Sequence, residues 1–279
     1  MSNFKLTQQQ ISFFHNFGYL SFPDLMADRI REIDLAFEEL WSENGYGHNG
    51  QPHDGLARSC LVPFIDLSET LSSLLDDPRI LGIASSLLGE DFNYMGSDGN
   101  YYVGNTGWHS DGWHEEILHI KIAFYLDNLT SQTGCLRVIP GSHKFGDDYA
   151  NLLSKQVGKS QELLGVEAAE IPCVNFETKP GDIVCFNHNL KHAAFGGGSR
   201  RRMFTMNCSQ RYPDNRLDEL RNYISGGARF WLDRAYGEAM IRTADQNRMR
   251  HLEQKMANDG HLAELSRQAR TNMSEPSRG

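Results

Sequence analysis

The segment Trp108-His109-Ser110-Asp111 holds the residues best spaced for chemistry. In an extended chain residues i and i+2 point to the same side, so the imidazole of His109 and the carboxylate of Asp111 can grip one metal ion together. One more histidine would complete a facial triad and leave the other coordination positions open for a bidentate co-substrate and for dioxygen. We assign His192 as that third ligand. An H-x-D tripeptide by itself arises often by chance, and order and context are what give this one weight. After it come the turn-rich stretches SQTG and PGSH, a GDIVCF strand, His192 at 81 positions beyond Asp111 (192 − 111), and then Arg200-Arg201-Arg202.

Each of these parts has a task in one reaction class. 2-Oxoglutarate chelates a metal through its 1-carboxylate and 2-keto oxygen and needs a cation for its far carboxylate. Arginine suits that role, because its planar fork binds a carboxylate through two parallel hydrogen bonds. From LTQQQISFFHNFGYLSFPDLM through WHSDGWH and GCLRVIPGSH to GDIVCFNHNLKHAAFGGGSRRRMFTMN, the chain resembles the phytanoyl-CoA dioxygenase family of iron and 2-oxoglutarate oxygenases. The resemblance implies a mainly β fold, a double-stranded β-helix of jelly-roll or cupin type packed by N- and C-terminal helices. It implies Fe(II), 2-oxoglutarate and O2, with hydroxylation of a small organic substrate and release of succinate and CO2. The family's proximal His and Asp fall on His109 and Asp111 and its distal His on His192. Its oxoglutarate-binding arginine falls best on Arg201, with Arg202 the alternative register. Halogenating relatives carry a small residue at the Asp111 position, so hydroxylation is expected, with desaturation or ring closure open to the same ligands.

Other polar residues near these motifs need weighing. His188 and His192 form an H-x-x-x-H that would suit zinc on a helix, but the strand-like GDIVCF before it and Gly196-Gly197-Gly198 after it argue against a helix. His114 reads as an ordinary histidine. Lys121, His119 and Arg137 are candidates to bind an anionic substrate, Arg137 being equally suited to a strand surface. Trp108, Trp113, Tyr102 and Phe195 are packing residues close enough to the ligands to form pocket wall.

The elements that position these residues follow from periodicity. His119 to Leu126 alternates strictly, with Ile120, Ile122, Phe124 and Leu126 on one face and His119, Lys121, Ala123 and Tyr125 on the other. The first face should pack against helices and the second should line a polar cavity. Residues from about 92 to 212 read as short strands broken by turns, the β-helix core. Residues 1–90 read as helical: Thr7 caps a helix with Gln10 as its box partner, Gly18 stops it, a strand runs from Tyr19 to Phe22, and Pro23-Asp24 opens a helix to about Trp41. The Gly-, Asn- and His-rich stretch 44–55 reads as a surface loop over a site. Residues 213–268 are helical and charged, so 1–268 forms one oxygenase domain, and 269–279 reads as a disordered tail.

Bulk properties agree. The chain has 279 residues, 39% of them hydrophobic, enough for one large domain. With 27 basic against 36 acidic side chains, a broad nucleic-acid surface is not expected. Five cysteines without CxxC spacing suggest a reducing cytoplasm, and no apolar run approaches the ~20 residues that span a bilayer. The expected partner is a small-molecule substrate, most simply an anionic amino acid, carboxylate or phosphonate. A cupin-type isomerase or hydrolase working without 2-oxoglutarate, or a non-enzymatic binding relative, is the rival class; the full set of ligands and arginines disfavours both.

Overall fold

A computed structural model describes residues 4–279. Twelve strands form three antiparallel sheets: β1 (Tyr19–Phe22), β2 (Gly47–His48), β3 (Gln51–Pro52), β4 (Ser59–Leu61), β5 (Asn93–Tyr102), β6 (Thr106–His109), β7 (His119–Tyr125), β8 (Leu136–Val138), β9 (Val174–Phe176), β10 (Ile183–Asn187), β11 (His192–Ala194) and β12 (Arg201–Ser209). The major sheet has six strands in the order β1-β10-β7-β12-β5-β4, the minor sheet four in the order β6-β11-β8-β9, and β2-β3 is a small hairpin. The mainly antiparallel sheets and flanking helices are those of the expected β-helix class.

The alternation in β7 separates two cores. Ile120, Ile122, Phe124 and Leu126 pack in one core with Ile33, Phe37 and Trp41 from the helix Ile30–Glu43 and Ile80 and Ile83 from the helix Pro78–Leu88. Ala123 and Tyr125 pack instead with Val184, Phe186 and Met203 of the major sheet and Leu136, Val138 and Phe176 of the minor sheet. The minor sheet thus lies over the inner face of the major sheet, and the polar members of that face have only this interior to occupy.

The N-terminal helix Gln8–Phe17 carries the expected capping box of Thr7 and Gln10. It stops at Gly18, whose backbone is left-handed (φ 86°) and where a Cβ would lie 2.6 Å from His143 Nδ1. The second helix begins at Ile30, not at Pro23. Asp24 adopts φ 56° and its amide donates to Asp182 Oδ1 at 2.8 Å, so a turn held by a residue 158 positions away delays the helix.

The tail corrects another expectation. The last helix runs Leu262–Asn272, and the residues after it lie against the body of the protein. His48 Nε2 is 2.9 Å from the Pro276 carbonyl, the Ser277 amide donates to the Arg229 carbonyl at 2.8 Å, and Arg278 donates to the Arg58 carbonyl at 3.0 Å. Stretch 44–55 likewise forms the β2-β3 hairpin, in which His48 of β2 is buried. No helix among the described residues is long and apolar enough to cross a membrane.

Candidate metal centre

Strand register brings the two distant histidines together. β6 pairs with β11 so that His109 stands directly opposite His192, and Asp111 follows two residues beyond the end of β6. His192 Nε2 lies 3.6 Å from Asp111 Oδ2 and His109 Nε2 lies 3.9 Å from Asp111 Oδ1. One ligand atom from each residue falls within 4.8 Å of the others. The opposite ring nitrogens fix the tautomers: His109 Nδ1 is 2.8 Å from the Gly107 carbonyl and His192 Nδ1 is 2.9 Å from the Leu190 carbonyl. A carbonyl only accepts, so both protons sit on Nδ1 and both Nε2 lone pairs are free to bind. Two neutral imidazoles and one carboxylate are the donor set that suits Fe(II) with open positions.

Lys121 projects from β7 into the same interior, as the alternation requires, and its Nζ lies 2.8 Å from Asp111 Oδ2. Burial favours the neutral carboxyl, but Lys121 and the neighbouring histidines outweigh it and hold Asp111 well below the usual carboxylate range. Burial likewise lowers the affinity of Lys121 for its proton, and Asp111 with Asp98 more than offsets it. The carboxylate that Lys121 meets therefore belongs to the protein, in place of the expected substrate anion. The Lys121 and Asp111 side chains are 16% and 19% exposed, so breaking the pair from one side strands a partly solvated charge and costs less than in a dry interior. Lys121→Met should cost metal-free protein roughly 1–3 kcal/mol near neutrality. Asp111 has a depressed folded pKa, so its stabilisation is present above the unfolded carboxylate value and is lost as pH falls through the folded one. In the variant the stranded carboxyl protonates first, so the gap should narrow in acid. Urea unfolding of both proteins at neutral and acidic pH measures this, and a pH-independent gap would show that the pair is not its source.

The arginines divide by strand face. Along β12, Arg201, Met203 and Thr205 line an inner cavity together with Tyr102, Thr106, Tyr125, His109, Asp111 and His192. Arg201 is buried, its Nη1 donates to the Gly134 carbonyl at 2.7 Å, and its Nε has no partner. No carboxylate of the described residues pairs with it. Burial lowers its affinity for its proton, as expected of a cation without a counter-ion. Arg202 faces the other way and is held by Asp34 and Glu38 at 2.8 Å and Asp127 at 2.9 Å. The expectation that Arg202 could serve as the oxoglutarate arginine is therefore corrected: neighbours on one strand cannot enter the same pocket.

Two further candidates are also displaced. His119 is buried with Nε2 2.6 Å from the Tyr212 hydroxyl and does not line the cavity beside the triad. Arg137 donates to the Ala169 and Ser131 carbonyls at 2.7 and 2.6 Å, which makes it a brace between loops. In their place stand residues that the sequence reading passed over. A cavity of about 910 Å³ opens beside His109 and Asp111 and is lined by Arg58, Asp98, Lys121, Asn207, Arg229 and Lys255, among others. Arg58 lies over the Tyr102 ring at 4.2 Å and pairs with Asp98 at 3.3 Å. Lys255 donates to the carbonyls of Met95 and Ala235, and burial lowers its pKa to about 8. Asp98 and Asn100 alternate with Gly99 and Tyr101 along β5, so the period-two argument used for β7 would have placed them inward.

The family model described as phytanoyl-CoA dioxygenase matches residues 14–203, a span that contains the triad and both arginines. The chain belongs to the phytanoyl-CoA dioxygenase family. It is a 2-oxoglutarate-dependent non-haem iron dioxygenase. Within the family it is 32% identical over 218 residues to the ectoine dioxygenase of Sphingopyxis alaskensis, covering 68% of this chain and 71% of that protein. It is 29% identical over 168 residues to a 2-aminoethylphosphonate dioxygenase from an uncultured bacterium, covering 56% and 60%. The fold matches two crystal structures with a TM-score of 0.56 and 22% identity. One is a non-haem alpha-ketoglutarate-dependent carbocyclase from nogalamycin biosynthesis, with 74% of this chain and 84% of that one covered. The other is the S. alaskensis ectoine enzyme with 2-oxoglutarate and 5-hydroxyectoine, with 75% and 78% covered.

Proposed function

We propose that His109, Asp111 and His192 hold the family's iron, that Arg201 receives the far carboxylate of 2-oxoglutarate, and that the enzyme hydroxylates a small organic molecule bearing an anionic group. The observation that carries the co-substrate reading is Arg201: a buried guanidinium with no counter-ion shares one cavity with the three candidate ligands. A buried charge of this kind is costly unless a ligand completes it. When bound, iron and 2-oxoglutarate supply the oxidising chemistry, consuming dioxygen, releasing succinate and CO2, and leaving a hydroxyl on the substrate.

The chain's own side chains do the positioning. The Gly107 and Leu190 carbonyls orient the two imidazoles, Lys121 fixes one oxygen of Asp111, and Leu136, Phe186 and Met203 give the inner cavity an apolar wall. The larger cavity supports an anionic substrate, because pairing of Arg58 with Asp98 and of Lys121 with Asp111 still leaves Arg229 and Lys255 in its wall without a carboxylate partner among the described residues. Ectoine and 2-aminoethylphosphonate, the compounds in the relatives' names, both combine an anionic and a cationic group, and they head the screen. With iron-loaded protein, substrate-dependent succinate release is expected for zwitterions of this size and not for uncharged or purely cationic analogues. Preference for a neutral substrate would defeat the anion reading and leave the iron reading in place.

A further inference from the structure

Behind the first centre lies a second group of imidazoles for which the proposed reaction has no task. His114 sits in the loop after β6, His119 opens β7, and His188 follows β10. One ring nitrogen from each lies within 4.8 Å of the others. Three ring nitrogens of this group, His114 Nε2, His119 Nδ1 and His188 Nδ1, are buried with no hydrogen-bond partner. Leaving one such atom unpaired costs about 1–3 kcal/mol, and three together call for an occupant that satisfies them.

The other nitrogens show what kind of occupant. Asn207 Nδ2 donates to the Gly96 carbonyl at 3.3 Å, which turns its Oδ1 towards His188 Nε2, 3.1 Å away. An amide oxygen only accepts, so the proton is on Nε2 and His188 Nδ1 presents a lone pair. His119 Nε2 meets the Tyr212 hydroxyl at 2.6 Å. Metal-bound histidines are oriented in this way, with one ring nitrogen held by a neighbour and the other left free to bind.

We propose that His114, His119 and His188 form a second metal site, suited to a divalent ion of the zinc class, with its fourth position open towards the substrate cavity that His188 lines. Three neutral imidazoles with one exchangeable ligand are an established zinc donor set. In the present arrangement the His114 and His119 rings are stacked, 3.7 Å between centroids and 5° between planes, so their lone pairs run side by side. Sharing an ion requires the His114 ring to tilt. Its backbone is pinned on both sides by Asn189, at 2.7 and 2.6 Å, while no hydrogen bond among the described residues holds the ring. The ring can therefore turn about a fixed main chain without breaking a contact of that kind. The rival occupant is a buried water, which also needs only two to four polar partners.

The test is titration of metal-free protein with Co(II), followed by visible absorption, and with Zn(II), followed by calorimetry. The parent should bind two equivalents, one of them giving the intense bands of four-coordinate Co(II). His114→Ala should abolish that equivalent and keep the other, and His109→Ala should do the reverse. Asn207→Leu, which touches no metal, should weaken the four-coordinate equivalent roughly 10–100-fold through the orientation of His188. Circular dichroism of each variant verifies that it is folded. A parent without the four-coordinate equivalent, or one in which that equivalent is unaffected by His114→Ala and Asn207→Leu, overturns the site and leaves water in it. Loss of the first equivalent alone would count against the iron ligands and not against this group.

Discussion

His109→Ala and Asp111→Ala are each expected to abolish turnover and iron retention, with the two variants differing in stability. The His109 side chain is 41% exposed and contributes little apolar burial, so its removal should cost no more than about 0.5 kcal/mol. Asp111→Ala leaves the Lys121 ammonium without its 2.8 Å partner, and a measurable loss of stability should accompany the loss of iron. Thermal unfolding of the metal-free proteins, alongside iron analysis after gel filtration, separates the two effects. Iron should be required in turnover, and zinc, which has no accessible redox change, should not replace it. Full activity in either variant, or turnover with zinc alone, would remove the triad from the mechanism.

Arg201→Ala should raise the 2-oxoglutarate concentration needed for half-maximal rate steeply. Loss of a buried, hydrogen-bonded charge partner is worth roughly 2–5 kcal/mol, and each 1.4 kcal/mol is about tenfold. Arg202→Ala should leave that requirement unchanged. Its cost should appear in unfolding, because Arg202 ties β12 to Asp34 and Glu38 of the helix Ile30–Glu43 and to Asp127. Steady-state kinetics against 2-oxoglutarate, set beside denaturation curves, give opposite signatures for the two neighbours. If both variants respond alike to 2-oxoglutarate, the inner cavity is not its site.

Much of the architecture could be read from local pattern, because strand faces obey a period of two that needs no partner to be known. That rule directed Lys121 inward and required that Arg201 and Arg202 part company. It could not choose between the arginines, since the phase of β12 is set by its pairing with β5 and β7. The same limit explains what was missed. The delayed second helix depends on Asp182, the ordered tail depends on His48, Arg58 and Arg229, and the role of Arg137 depends on carbonyls of two separate loops. Apart from Ser131, six residues before Arg137, none of these partners is near in sequence. His119 shares the cavity-facing parity of Lys121, but it stands at the first residue of β7, where Tyr212 and His114 close over it.

The facing of His109 and His192 across one rung of the minor sheet reaches beyond coordination. An ion held by both would fasten points 83 positions apart (192 − 109), acting on the chain as a removable cross-link. By analogy with a covalent bridge, closing a loop of that length in the unfolded ensemble is worth on the order of 4–5 kcal/mol. The short strands β6 and β11 have few backbone rungs of their own, so their amides should exchange with solvent deuterium far faster after chelation than those of β7 and β12. Loss of the ion would then be felt first as fraying of one sheet while the other stands.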